Sequence, residues 1–315
     1  MRILLGGGSG LIGGALAPHL ETAGHSVTRL VRVASGAAAR AAADRANPGG
    51  SETLPWDPDR GLLDPGAIRG FDAVVHLGGV TIASGRWTVA RKQNIVESRT
   101  RSTLLLAERI AALPSGKRPG VLVVASATGY YGDRGESVLT EESEAGEGFL
   151  SDVCRAWEEA ASPAARAGTR VAHPRIGMVL SRHGGALAAM LPPFRLGLGG
   201  PIGNGRQWWP WIGLHDLVRV LERLIVDESL SGAVNAVAPG PVTSAGFARS
   251  LGRVLRRPAV LPLPAFVLRL LLGEMSGPLL LASTRAVPRR LTNAGFSFRH
   301  PELDGALTAA MAGGA

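Results

Sequence analysis

The chain is poor in several residue types, and each scarcity excludes something. Its one cysteine, Cys154, cannot close an internal disulfide, and no CxxC pair or Cys/His cluster offers a structural zinc site. That composition fits a reducing cytoplasm and predicts no metal. The only lysines are Lys92 and Lys117, so the net charge of +9 is carried almost entirely by arginines scattered along the chain. Without a basic stripe or a nucleic-acid motif, this charge does not read as a phosphate-tracking surface. Long apolar runs are also missing. Residues 265–275, AFVLRLLLGEM, are too short to span a bilayer and carry Arg269 and Glu274. The opening MRILLGGGSGLIGG is broken by glycines too early for a signal peptide. The expectation is a soluble cytoplasmic protein with a small-molecule substrate and no nucleic-acid or membrane partner.

What is present is a core and a rhythm. A hydrophobic content of 45% over 315 residues suffices for about two domains. Short apolar runs alternate with helical stretches, the pattern of a parallel sheet covered on both faces. Strands are predicted at 2–6, 26–32, 73–79, 121–129 and 169–180, with helices at 11–24, 88–112, 150–166 and 215–227. An Ala/Gly-rich loop is expected at 34–50, and the glycines at 184–185 and from 197 to 205 read as a mobile loop. Beyond about 240, Pro258, Pro262, Pro264, Pro278 and Pro288 punctuate short helical pieces. The fold class is α/β: a doubly wound Rossmann sheet with a small, mainly helical C-terminal substrate domain.

Gly7-x-x-Gly10-x-x-Gly13 directly follows the first predicted strand and opens the first predicted helix. In that setting the glycines permit a tight turn, close approach of a pyrophosphate and close helix–strand packing, while the helix N-terminus offers N–H groups to phosphate. At the end of the second strand, where an NAD-binding protein places a carboxylate against the ribose, this chain has Val31 and Arg32. A guanidinium there favours a 2′-phosphate, hence NADP(H).

Further segments carry a resemblance. GGSGLIG (7–13), AVVHLGG (73–79) and the serine-bearing strand leading into YYG (130–132) resemble extended short-chain dehydrogenases. GGVTIASGRWT (78–88), KQNIVESRTRST (92–103), SATGYYG (126–132), GEGFLSDVCRAWEEA (146–160), GGPIGNGRQWWPWI (199–212) and the tail from 281 to 307 are similar to the NAD-dependent epimerase/dehydratase family, in its YfcH-like group with a small C-terminal domain of unknown function. The resemblance spans essentially the whole chain. It implies an NADP(H)-binding unit at 1–175, with 211–239 returning to it, and a substrate unit at 176–315. It also implies cofactor contacts at Ser9, Leu11 and Ile12, at Trp56 and Asp57 near adenine, at Leu77, Gly78 and Gly79, and at Pro174, Arg175 and Ile176 toward nicotinamide. The resemblance also implies a monomer or a homodimer.

Short-chain dehydrogenases of the usual kind use Tyr-x-x-x-Lys for proton transfer. On this chain Leu150 falls at the tyrosine position and Cys154 at the lysine position. Two readings follow. In one, the protein is an oxidoreductase or epimerase of a polar carbonyl compound or sugar nucleotide, and Ser126, Tyr130 or Tyr131 handles the proton, with Arg134 able to stabilise a Tyr130 phenolate. In the other it is a catalytically silent NADPH-binding sensor or scaffold. A Cys154 nucleophile with His173 or His76 as base is the weaker option, because a lone cysteine on a buried helix face packs as a small apolar residue. The tryptophans of RQWWPWIGLHD (206–216) suit either a substrate pocket or an anchor for the C-terminal segments.

Overall fold

The computed structural model describes residues 1–33, 52–64 and 66–312. Apolar runs form strands β1 (Arg2–Gly6), β2 (Ser26–Arg32), β3 (Thr53–Trp56), β4 (Ala73–His76) and β5 (Val121–Val124), the last continued past Ala125 by β6 (Ser126–Ala127). Then come β7 (Val138–Leu139), β8 (Arg170–Ile176), β9 (Met178–Leu180), β10 (Trp208–Trp209), β11 (Trp211–Gly213), β12 (Gly232–Ala236), β13 (Val242–Thr243) and β14 (Arg285–Ala286). Among the described residues the main sheet runs β12–β8–β5–β4–β1–β2–β3, with β6 also paired to β8, and every pair is parallel. The direction of winding reverses between β1 and β4. Doubly wound sheets open a crevice for ligands at such a switch point.

Alternation along the strands explains why both faces need cover. Ile3, Leu5, Val27, Val75 and Val123 face one way and share a core with α1 (Leu11–Thr22). Leu4, Leu30, Val74, Leu122 and Val124 face the other way, toward α2 (Val89–Ala111) and, through Trp157, toward α3 (Phe149–Glu159). A short α4 (Ser162–Arg166) follows, because Pro163 has no N–H to continue α3; the single helix expected at 150–166 is therefore two. The strand expected at 121–129 ends at Ala127, where a 3₁₀ turn, Thr128–Tyr131, begins.

The segment expected as one strand at 169–180 divides at Gly177. There β8 stays in the main sheet, whereas β9 leaves it to pair with β11. A Cβ at Gly177 would stand 2.7 Å from the Pro210 carbonyl oxygen, so the bend requires glycine. The glycine-rich stretch expected as a mobile loop contains α5 (Gly185–Arg195). Its later glycines serve close packing: a Cβ at Gly199 would be 2.5 Å from the Phe194 ring, and one at Gly200 would be 2.0 Å from the Leu261 carbonyl oxygen. The loop expected at 34–50 lies outside the described residues.

Helix α6 (Leu214–Val226) returns to the sheet beside α1, burying Leu217, Leu221 and Leu224. Among the described residues, α7 (Ser244–Leu255), α8 (Ala265–Leu272), α9 (Arg289–Asn293) and α10 (Leu303–Ala312) follow. Trp209 and Trp211 are buried with Phe247, Leu251, Leu303 and Leu307, and the Trp211 indole donates to the Gly240 carbonyl at 2.8 Å. Of the two roles left open for these tryptophans, that packing is the anchoring one. Among the described residues no helix is long and apolar enough to cross a membrane, and no group of His, Cys, Asp and Glu is placed to hold a metal ion.

Candidate functional site

The glycines of the turn after β1 differ in what surrounds them. Gly7 has φ +82°, and a Cβ there would stand 2.7 Å from the Gly78 backbone nitrogen, so the loops leaving β1 and β4 interlock at the switch point. At Gly13 a Cβ would stand 2.2 Å from the Gly7 carbonyl oxygen, so the start of α1 lies directly on the turn. Gly10 meets nothing closer than 3.5 Å and is exposed, as is Ser9. Gly10 is the N-cap of α1 and brings no side chain to the helix end, which leaves first-turn N–H groups and the positive end of the helix dipole for an anion. Leu11 and Ile12 are half-buried there.

Arg32 ends β2, with its side chain 46% exposed and its guanidinium 3.3 Å from the Asp59 carboxylate. A pair this exposed contributes about 0–1 kcal/mol, so exchanging Asp59 for a phosphate costs little. Asp57 accepts from the Asp59 and Arg60 N–H groups and holds that turn. Trp56 is buried, its ring edge-on to His76 at 5.6 Å, and with Val33, Asp57 and Arg109 it lines a cavity of about 410 Å³ at the end of β3.

His76 is fully buried, and its Nε2 lies 2.8 Å from the Ser102 hydroxyl. Burial, followed by the nearby Arg32 and Arg99 cations, pushes its pKa down to about 3. The ring underlies the loop: Cβ atoms at Gly6 and Gly78 would stand 2.6 and 2.7 Å from it. Its ring fills the space beneath Gly6, at the end of β1, and Gly78, in the loop after β4. Cys154 is likewise buried. Burial first, then the Glu158 carboxylate, raises its thiol to about 11, and its Sγ donates weakly to the Ala127 carbonyl at 3.6 Å.

The proton-handling candidates sit on a buried network. Ser126 donates to Glu158 at 2.7 Å, Glu158 takes both arms of the Arg175 guanidinium at 2.9 Å, and Arg175 donates to the Tyr131 hydroxyl at 3.1 Å. Tyr131 donates in turn to Asn235 at 2.7 Å. Tyr131 is 0% exposed, and burial raises its pKa despite the neighbouring Arg175. Its hydroxyl is committed inside the protein. Arg175 is itself buried, held charged by Glu158 against the cost of burial. Tyr130 is half-buried, and its ring lies 3.3 Å below the Arg175 guanidinium carbon. The cation on Tyr130 is thus Arg175, whereas Arg134, expected in that role, reaches the Glu144 carbonyl at 3.4 Å. Pro174 is buried in β8, and Ile176 contributes to both cores.

Beside these residues opens a cavity of about 320 Å³, lined by Gly129 and Gly132 on either side of the tyrosine pair, by Glu147 to Ser151 at the start of α3, and by Arg269, Pro278 and Leu281 from the C-terminal segments. Leu150, at the position of the usual tyrosine, is among its lining residues. Sequence reasoning missed Glu158 and Asn235, since neither lies in a motif of its own; the acid two residues after Arg155-Ala156 is ordinary for a helix.

Residues 3–236 match the model of the NAD dependent epimerase/dehydratase family, and residues 263–310 match a domain of unknown function, DUF1731. An epimerase family protein of Mycobacterium bovis is 42% identical over 305 residues, covering 97% of this chain and 96% of its own. The crystal structure of human epimerase family protein SDR39U1 with NADPH superposes with a TM-score of 0.86 at 34% identity, covering 99% of this chain and 100% of that one. UDP-glucose 4-epimerase of Thermus thermophilus, at 19% identity over all of both chains and a TM-score of 0.73, shares the fold. Family match, full-length relatives and sheet topology agree, and the chain belongs to the NAD dependent epimerase/dehydratase family.

Proposed function

We propose that this chain binds NADP(H) and acts as an oxidoreductase or epimerase on a polar carbonyl compound, a sugar nucleotide being one such substrate. The observation that carries the reading is the open N-terminus of α1, fixed by the Gly7–Gly78 and Gly13–Gly7 contacts and flanked by Arg32. Ser9, Gly10, Leu11 and Ile12 hold the pyrophosphate, Arg32 the 2′-phosphate, and Leu77, Gly78 and Gly79 the ribose side, with Asp57 shaping the adenine end and Pro174 and Ile176 the nicotinamide end. When bound, the cofactor supplies hydride chemistry. Residues 1–175 with 211–239 serve the cofactor, and the rest of 176–315 closes the substrate cavity. Tyr130 is the group we assign to the substrate proton, because Tyr131 and Ser126 spend their hydroxyls on Asn235 and Glu158. Arg175 fixes its ring.

One observation favours binding without turnover: Leu150 and Cys154 put no ionised group at the usual dyad positions. Fluorescence titration with NADPH and NADH, on wild type and Arg32→Ala, tests the common core. We expect wild type to prefer NADPH, with the preference lost on substitution by roughly ten- to hundredfold, the worth of a charge-assisted hydrogen bond. Equal binding of both cofactors by wild type overturns the Arg32 role, and no binding overturns the reading. If NADPH binds but no carbonyl compound is turned over, the sensor or scaffold reading stands.

A further inference from the structure

Among the described residues, seven large apolar side chains are at least 59% exposed, and six of them come from adjoining segments: Leu196, Leu198, Val260, Phe266, Leu270 and Leu271. The Leu261 N–H donates to the Gly199 carbonyl at 3.1 Å, the Leu263 N–H to the Pro201 carbonyl at 2.9 Å, and the Arg257 Nε to the Arg195 carbonyl at 3.0 Å. The chain from 195 to 201 therefore runs beside that from 257 to 263, and α8 begins immediately after. Seven of the eight residues of α8, AFVLRLLL, are apolar, yet only Leu268 is fully buried. A helix apolar on every side belongs in a protein core or in lipid, because each side left in water forgoes the gain of burial.

Charge decides what covers this face. The chain has no Asp or Glu from 160 to 215 or from 229 to 273, whereas Arg195, Arg256, Arg257 and Arg269 are exposed among the apolar residues. The nearest acids along the chain toward its C-terminus already have cations: Glu274 meets Lys92 at 2.5 Å and Asp304 meets Arg253 at 2.7 Å. A second copy seated here face to face would set these arginines against the same arginines, with no carboxylate between them. Nor does the patch suit a specific protein partner, since leucine and valine are under-represented among the side chains that anchor protein interfaces. Aliphatic side chains on an outstanding helix and its neighbouring loops, accompanied by guanidinium groups alone, match the zone where acyl chains meet anionic headgroups. Arginine can reach a headgroup phosphate there while its methylenes lie along apolar surface.

We propose that α8 and the adjoining segments 195–201 and 257–263 form a docking surface for an anionic lipid bilayer, with the aliphatic side chains entering the interface and the four arginines pairing with its headgroups. Docking in the plane of the interface needs no spanning segment. The shortness of residues 265–275, which underlies the expectation of no membrane partner, is therefore no bar to it. Docking is independent of the NADP(H) reading and is measured without turnover. Arg269 also lines the substrate cavity and stays unchanged in the test.

Co-sedimentation of the full chain with phosphatidylcholine vesicles, and with vesicles carrying about one-third phosphatidylglycerol, reads the docking directly. We expect binding to the anionic vesicles to be tighter by roughly a hundredfold or more, the worth of several arginines at a charged surface. Phe266→Ser with Leu270→Ser should weaken it by about tenfold or more, as should Leu196→Ser with Leu198→Ser. These side chains are exposed, so both double variants should melt as wild type does; if one pair misfolds, the other carries the test. Arg256→Gln with Arg257→Gln should cost roughly twentyfold. Arg69→Gln with Arg166→Gln removes the same charge from exposed sites that precede β4 and β8, and should cost under about threefold. Equal loss from the two arginine pairs, or anionic binding untouched by the serine variants, means attraction to net charge alone and overturns the proposal. Absence of binding to anionic vesicles overturns it, and so does equal binding to both kinds of vesicle. Misfolding of both serine pairs would give these side chains a core role and overturn it too. Self-association in sedimentation velocity that the serine variants abolish, with no vesicle binding, would assign the face to a second copy instead.

Discussion

Gly10, Gly13 and Gly14 lie within one turn of chain, yet alanine at each meets a different environment. At Gly13 the new Cβ would stand 2.2 Å from the Gly7 carbonyl oxygen and 2.8 Å from the Gly8 Cα, both backbone atoms that cannot swing away. Relief requires α1 to lift off the turn, and we expect Gly13→Ala to cost about 3 kcal/mol or more, with nicotinamide cofactor binding lost. At Gly10 the Cβ meets only the Gly7 carbonyl oxygen at an ordinary 3.5 Å, and φ is −79°, which alanine adopts freely. Gly10→Ala should therefore fold, losing under about 1 kcal/mol as a poorer N-cap, while its methyl group stands where a pyrophosphate must approach and weakens NADPH by about tenfold or more. At Gly14 the Cβ is 3.9 Å from its nearest neighbour and points to solvent. Gly14→Ala should raise stability by roughly 0.5–1 kcal/mol and leave affinity alone. Urea unfolding and NADPH titration on the three variants give six numbers. Wild-type affinity in Gly10→Ala would refute the assignment of the loop to the pyrophosphate, and unchanged stability in Gly13→Ala would refute the packing.

His76 makes acid stability legible. Its folded value of about 3 lies below the ordinary 6.5, so the unfolded chain takes up a proton that the folded chain refuses. Stability is then lost as pH falls through that window, by about 1.4 kcal/mol per pH unit at the steepest, and His173, also lowered by burial, acts in the same direction. Urea denaturation across this range should show a shallower pH slope for His76→Asn than for wild type; equal slopes would refute the assignment. Cys154, raised to about 11, should resist iodoacetamide at about pH 8 in the native protein and react once unfolded. Rapid native labelling would restore a nucleophilic role.

The glycine turn after β1, proposed above for the cofactor, was readable because its constraints are local. Gly7, Gly10 and Gly13 sit at fixed spacing on one strand, turn and helix, and Arg32 stands at a strand end countable from them. The proton-handling side was not. Tyr130 and Tyr131 are adjacent in sequence, but the 3₁₀ turn aims Tyr131 into the core, where Asn235 from the far edge of the sheet takes its hydroxyl. Arg134 is near Tyr130 along the chain, yet Arg175 is the cation on its ring.

The sequence by itself determined the parallel sheet, the phosphate turn, the missing Tyr-x-x-x-Lys dyad and the family resemblance, because hydrophobic period, glycine spacing and residue absence are properties of order along a chain. Only the tertiary structure decided which charges are compensated. Arg32, Arg99 and Arg175 are alike as letters. Folding leaves the first at the surface beside Asp59, locks the third, on β8, onto Glu158 of α3, and buries the second without a carboxylate partner among the described residues. Counter-charge and burial depend on elements distant in sequence, and those alone set what a guanidinium is free to bind.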